Sequence, residues 1–269
     1  MARAVREGAP SPLGVTPQGG GVNVAVFSQY ATAIEFCLFD AAGRVELERV
    51  PLPERTGSVF HGFIPDVAVG TRYGLRTDGP WAPAEGQRFN RAKLLVDPYV
   101  RALDRAFALH PAMRGQHRDG TIDETDSGEV VPKGIVMSSP APWDPRRPAT
   151  PWQESVIYEM HVRGFTKTHP DVPLELRGTV AALAHPAAIE HLVRLGVSAV
   201  ELMPVAAAVD EGHLVAQGLT NYWGYNTIGW MTPDPRLAPG GITELRRAVD
   251  ALHEAGIEVL LDVVYNHTP

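Results

Sequence analysis

From residue 14 to about residue 99, apolar and polar positions alternate with a period of two, which predicts strands with one buried face. Val22, Val24 and Val26 are interleaved with Asn23 and Ala25, and Ile34, Phe36 and Leu38 with Glu35 and Cys37. After Asp40, Ala41-Ala42-Gly43 signals a turn, and Val45 and Leu47 resume the alternation, so a β-hairpin is expected here. Short strands are also expected at 59–64 and 72–75, each bounded by Gly or Pro. No helix of useful length is visible. The expectation is an all-β sandwich over residues 1–118.

Residues 119–150 lose apolar density and gather Pro132, Gly134, Pro140, Pro142, Pro145 and Pro148, followed by Pro151. That composition predicts a Pro/Gly-rich linker and a domain boundary near residue 150. Beyond it the period changes. His191 to Gly196 leads into an apolar run at 197–202, and Leu252 to Gly256 leads into another at 257–262. Both read as helix, glycine stop, buried strand, with Ile242, Leu245, Val249 and Leu252 spaced for one helix face. With 155–162 as an earlier strand, the order predicts a parallel sheet with right-handed crossovers. Both a doubly wound sheet and the opening of an eight-stranded barrel satisfy that order. A complete barrel needs about 250 residues, so residues 151–269 would form its first part only.

Composition narrows the function. At 44% hydrophobic and 20% charged the chain can bury a core, and its net charge of -7 lacks the basic excess that nucleic acid demands. Cys37 is the sole cysteine, which excludes an intrachain disulfide and a multi-thiolate zinc site and points to a reducing compartment. The first residues carry no apolar stretch, and later apolar runs are broken by Glu201, Pro204 and Asp262, so a cytoplasmic protein without membrane contact is expected. There is no GxxxxGK, and Gly19-Gly20-Gly21 precedes a strand, which argues against a nucleotide cradle. None of the ten histidines makes HExxH. Asp262, Asn266 and His267 can be read as metal ligands, but a strand-end cluster held by hydrogen bonds is the preferred reading, so no metal or cofactor is expected.

Two segments carry chemistry. Asn221-Tyr222-Trp223-Gly224-Tyr225-Asn226, with Pro233-Asp234-Pro235 after it, reads as a long loop. Its aromatic rings among polar side chains suit either a packed loop core or a sugar, which stacks on rings while its hydroxyls take hydrogen bonds. The run 261–267 delivers Asp262, Asn266 and His267 to the C-terminal end of a strand, where parallel α/β folds bind ligands. Glu159 and Glu201 lie within predicted strands and are read as a structural polar network, with His161 and Arg163 as partners.

DVVYNH at 262–267 resembles the first signature region of the α-amylase superfamily of glycoside hydrolases. NYWGYNTIGW at 221–230, YEMHVRGFT at 158–166 and KLLVDPYVRAL at 93–103 are similar to the isoamylase-like branch, nearest its bacterial glycogen debranching group. The resemblance implies a glycogen-binding-module-like sandwich followed by the first three strands of a (β/α)8 TIM barrel. It also implies hydrolysis of α-1,6 branch linkages in glycogen or limit dextrin by a retaining mechanism. Tyr225 would stack under the sugar at the cleavage subsite, His267 would bond that sugar's hydroxymethyl group, Asp262 and Asn266 would brace the strand end, and Trp223 would join the substrate-binding surface. The family's nucleophile and acid/base lie in later signature regions, so this chain is expected to carry no catalytic carboxylate and to be inactive alone. A branching enzyme or trehalose-releasing hydrolase is the alternative within the superfamily, against which the YWGYNT loop and the long insertion containing residues 210–213 count. A non-catalytic carbohydrate-binding fragment is the alternative outside it.

Overall fold

A computed structural model describes residues 3–139, 142 and 147–269, in two compact units, Met1–Pro140 and Ala141–Pro269. The first unit is all-β. Its strands are β1 (Gly14–Gln18), β2 (Gly21–Phe27), β3 (Ala33–Phe39), β4 (Glu46–Pro51), β5 (Glu54–Thr56), β6 (Val59–Pro65), β7 (Arg72–Asp78), β8 (Trp81–Ala82), β9 (Gln87–Arg88) and β10 (Gly134–Ile135). Two four-stranded antiparallel sheets, β1-β2-β6-β5 and β10-β7-β3-β4, make the expected sandwich, and β8 pairs with β9 apart from them.

The alternation that located these strands misjudged two of their faces. In β2, Asn23 and Ala25 are as buried as the valines between them. An N-terminal arm covers the second face: the Asn23 carboxamide accepts from Ala9 N at 2.8 Å and donates to Ala9 O at 2.9 Å, and Arg6 pairs with Phe63. At the start of β4, Val45, just before the strand, and Leu47 of the expected hairpin are exposed, at 57% and 65%, while Glu46 turns inward. The cause is Arg76 on β7, whose guanidinium is fully buried and donates to Glu46 Oε2 and Asp126 Oδ1, each at 2.8 Å. A buried cation demands an acceptor, so the inward position of the edge strand is an acid.

The 119–150 connector is also corrected. Ser127, Val131, Lys133 and Val136 are buried in the first unit, and β10 extends the second sheet. Residues 90–136 supply a cover for the outer face of β3 and β7: Cys37 and Phe39 pack with Leu94 and Val131, and Leu94 sits where any side chain on Gly74 would stand 2.8 Å away. Pro and Gly density here marks irregular packed backbone satisfied by side chains, not a free linker. Asn90 donates to Gly115 and Asp123, Lys93 to Ala112 and Thr125, and Arg76 also to Arg91 and Ala92, all at carbonyls. The 93–103 motif belongs to this cover, with Asp97 accepting from Tyr73 Oη at 2.9 Å. Residues 140, 141 and 143–146, inside the expected linker, lie outside the described residues.

Lys133 is fully buried, donates to Val131 O, and lies 4.6 Å from the centre of the Phe39 ring. Burial, with Arg105 nearby, lowers its pKa from 10.5 to about 8. The folded chain therefore releases this proton at lower pH than the unfolded chain, and stability should rise between pH 8 and 10.5. The gain attributable to this group is about 3 kcal/mol. Urea midpoints of the parent and Lys133→Met at pH 7.5 and 10 check this: only the parent should carry the increment, and parallel pH trends would contradict it.

The second unit contains β11 (Ile157–Met160), α1 (Val162–Thr166), α2 (Pro186–Arg194), β12 (Ala199–Leu202), β13 (Ala206–Ala208), α3 (Gly212–Val215), β14 (Thr227–Pro233), α4 (Gly241–Glu254) and β15 (Glu258–Leu261). The sheet runs β11-β12-β15, all parallel, with Met160, Leu202 and Leu261 in register at its C-terminal edge. Gly196 and Gly256 adopt φ of 76° and 80°, and each follows its helix as the sequence predicts. On α4, Leu245, Ala248 and Leu252 are buried, with Ile242 and Val249 packed beside them, against Met160, Val200, Leu202 and Ile257. That core covers one sheet face. The opposite face carries Ile157 and Leu260, exposed at 42% and 43%, with Glu159 and Glu201 in register between neighbouring strands. Among the described residues no helix is long and apolar enough to cross a membrane.

Candidate functional site

The parallel strands end together, and their backbone continues the register past the sheet: Met203 N donates to Met160 O and Asp262 N to Leu202 O. Asp262 therefore stands immediately beyond β15, fixed by its own amide. The expected long loop is shorter than its sequence suggests, because Thr227–Pro233 forms strand β14, paired antiparallel with β13 through two irregular steps. β-branched and aromatic residues at 227–232 outweigh the flanking loop signals. What remains is an excursion from residue 209 to 226, closed at its base by a bond from Val209 N to Asn226 O and another from Asn226 Nδ2 to Val209 O.

This excursion places the aromatic run. Tyr225 Oη donates to Asp262 Oδ2 at 2.5 Å, joining two of the residues selected from sequence. That hydrogen bond, reinforced by partial burial and the Asp262 charge, lifts the Tyr225 pKa from 10 to about 12. The phenol thus remains a donor throughout the physiological range, its ring held by the carboxylate and half-exposed. Trp223 is 57% exposed and meets the Tyr222 ring edge-on at 5.6 Å. Tyr222 in turn stacks flat on His161, with centroids 4.0 Å apart and planes 9° apart. Asn266 and His267 are exposed, and the described hydrogen bonds do not join them to Tyr225 or Asp262. Trp230 Nε1 donates to Val264 O at 2.7 Å and fastens the segment that precedes them.

His161 is not the partner of the strand glutamates. Its Nδ1 accepts from the amides of Arg163 and Gly164, capping α1, which puts the ring proton on Nε2, 2.6 Å from Tyr222 O. Both nitrogens are committed, so the expected network of Glu159, Glu201, His161 and Arg163 does not form. Behind the aromatic run lies a cavity of about 340 Å³, lined by residues that include His161, Arg163, Asn221, Tyr222, Asp234 and Arg236.

Sequence reasoning missed Arg236. Its guanidinium bonds Asp210, Asp234 and Ala208 O. The signal was present in Asp234-Pro235-Arg236, an Asx turn with a cation two residues on: Asp234 Oδ1 accepts the Arg236 amide at 2.8 Å.

Residues 12–100 match the carbohydrate-binding module 48 family, the isoamylase N-terminal domain. Over 267 residues the chain is 49% identical to a glycogen debranching enzyme of Yersinia enterocolitica, covering 97% of this chain and 40% of that protein. By sequence, this chain is similar to part of a glycogen debranching enzyme. It spans about two-fifths of that relative's length. Among solved structures it is similar to the pullulanase of Bacillus acidopullulyticus, with a TM-score of 0.69 and 21% identity over 96% of this chain and 30% of that one. It is likewise similar to the pullulanase of Anoxybacillus sp. LM18-11 complexed with maltotetraose, with a TM-score of 0.68 and 23% identity over 97% of this chain and 36% of that one. These two likenesses are of fold.

Proposed function

We propose that this chain supplies the α-glucan-binding floor of a debranching glycosidase that hydrolyses α-1,6 branch linkages in glycogen or limit dextrin, and that its parallel strands open a (β/α)8 barrel. The observation that carries the reading is the Tyr225–Asp262 bond at the C-terminal edge of the parallel sheet. It presents a fixed aromatic face next to Tyr222 and Trp223, at the end of the strands where such folds bind ligands. The sequential order β11-β12-β15 among the described residues is consistent with the start of a barrel. Glucan recognition is further supported by the module match over residues 12–100 and by the maltotetraose in the similar pullulanase. In this reading Trp223 extends the stacking surface, and Asn266 and His267 contribute hydrogen bonds to the sugar.

No retaining pair is assigned to the carboxylates present. Such a pair flanks the scissile bond about 5 Å apart. Glu159 and Glu201 are register neighbours on one sheet face, and Asp262 is occupied by Tyr225. In this reading the nucleophile and acid/base of the proposed reaction belong to the part of the relative that this chain does not span. The purified chain should release no reducing ends from glycogen above a protein-free blank at any pH from 5 to 8. Release that Asp262→Asn abolishes would overturn this assignment.

A further inference from the structure

We propose that Arg236 is a positioning residue for Tyr225, clamping the 209–226 excursion so that the ring meets Asp262. All three guanidinium nitrogens are engaged by the excursion and its base. Nε donates to Asp234 Oδ1 at 3.0 Å. Nη1 reaches both oxygens of Asp210 at 3.0 and 3.1 Å, and Nη2 reaches Asp234 Oδ2 at 2.8 Å and Ala208 O at 3.2 Å. These bonds hold the guanidinium to the protein itself, which is the geometry of a positioning residue.

The clamp acts through a continuous chain of bonds. Asp210, on the outgoing arm, accepts at Oδ1 from Asn221 N on the returning arm at 2.9 Å. Asn221 Nδ2 donates to Glu211 at 2.9 Å, and its Oδ1 accepts from Gly224 N at 2.9 Å. Gly224 fixes the backbone at φ 81° immediately before Tyr225. An excursion of this length has no regular strand or long helix to hold its tip, so a planar, multiply bonded cation at its base sets where the tip lies. Asp234 is anchored independently, its amide on Val205 O and its Oδ2 on Ala208 N, so the guanidinium is braced against the β13–β14 pair. Lysine cannot reproduce this, having three donors at one point.

This inference rests on the proposed function for its consequence in glucan binding, but its test does not. In the full chain labelled with [ζ-13C]tyrosine, the Tyr225 resonance is assigned by Tyr225→Phe and titrated. With a pKa of about 12 the parent should be about 3% ionised at pH 10.5. In Arg236→Met the released phenol should titrate near 10 and be about 75% ionised at that pH. Arg236→Lys should shift in the same direction by less, and it serves if the methionine variant fails to fold. A Tyr225 titration unchanged in a folded Arg236 variant would overturn the assignment. Where the parent binds maltohexaose, Arg236→Met should weaken it about tenfold. Absence of glucan binding by the parent would count against the proposed function, while the tyrosine titration still decides the role of Arg236.

Discussion

Tyr225→Ala should weaken binding of maltohexaose to this chain by about 30-fold, a loss of about 2 kcal/mol for removing one aromatic face from an apolar contact. Tyr225→Phe separates the two parts of that effect. It keeps the ring but removes the donor to Asp262, so the smaller loss of about 1 kcal/mol expected for one hydrogen bond should appear as a fall of about fivefold. Isothermal titration of the three proteins provides the comparison. Equal affinities for the parent and the alanine variant would remove Tyr225 from the binding surface. The order Ala weaker than Phe weaker than parent follows from the geometry, because the carboxylate aims the ring and the ring makes the contact.

The second large effect is on stability. Arg76→Met should destabilise the first unit by about 3 kcal/mol, since it removes the buried cation shared by Glu46 and Asp126, leaving Glu46 to Arg49 alone, and takes a donor from the Arg91 and Ala92 carbonyls. Arg76→Lys should recover less than half, because an ammonium cannot serve two carboxylates and two carbonyls in one plane. Native-state hydrogen exchange resolves this unit by unit. The amides of Phe36 and Leu75, on β3 and β7, should lose protection, while those of Leu245 and Leu252 on α4 should keep theirs. Equal loss in both units, or none in the first, would contradict the role given to Arg76.

What could be read from the chain depended on whether a signal was local. The period-two runs located β2, β3, β6 and β7, and the helix–glycine–strand units located α2, α4 and the parallel strands after them, because each element's own residues carry the pattern. Which face of a strand is buried was not local. Asn23 is covered by an arm fourteen residues earlier, and Glu46 turns inward to meet an arginine thirty residues later. The 119–136 segment was misread for the same reason: its backbone carbonyls are bonded by the side chains of Asn90, Lys93 and Arg105, none of which lies within it. At the site, Tyr225 and Asp262 were legible from chemistry and strand-end position, and they meet. His161 was assigned to the wrong partners because its capping of α1 and its stack on Tyr222 depend on where the excursion folds back. Arg236 escaped notice because a lone arginine after a proline carries no periodic signal, and its partners lie up to 28 residues away.

The central claim is that a branched glucan lies on the aromatic run at the C-terminal edge of the parallel strands. Titrating the 15N-labelled chain with an α-1,6-branched maltooligosaccharide, while following the tryptophan indole resonances and the amides of 222–226 and 262, tests it most directly. The account predicts saturable shifts at the Trp223 indole and at the amides of Tyr222, Tyr225 and Asp262, lost in Tyr225→Ala. Saturable binding whose shifts are confined to the unit Met1–Pro140, or no binding at millimolar sugar, would contradict it.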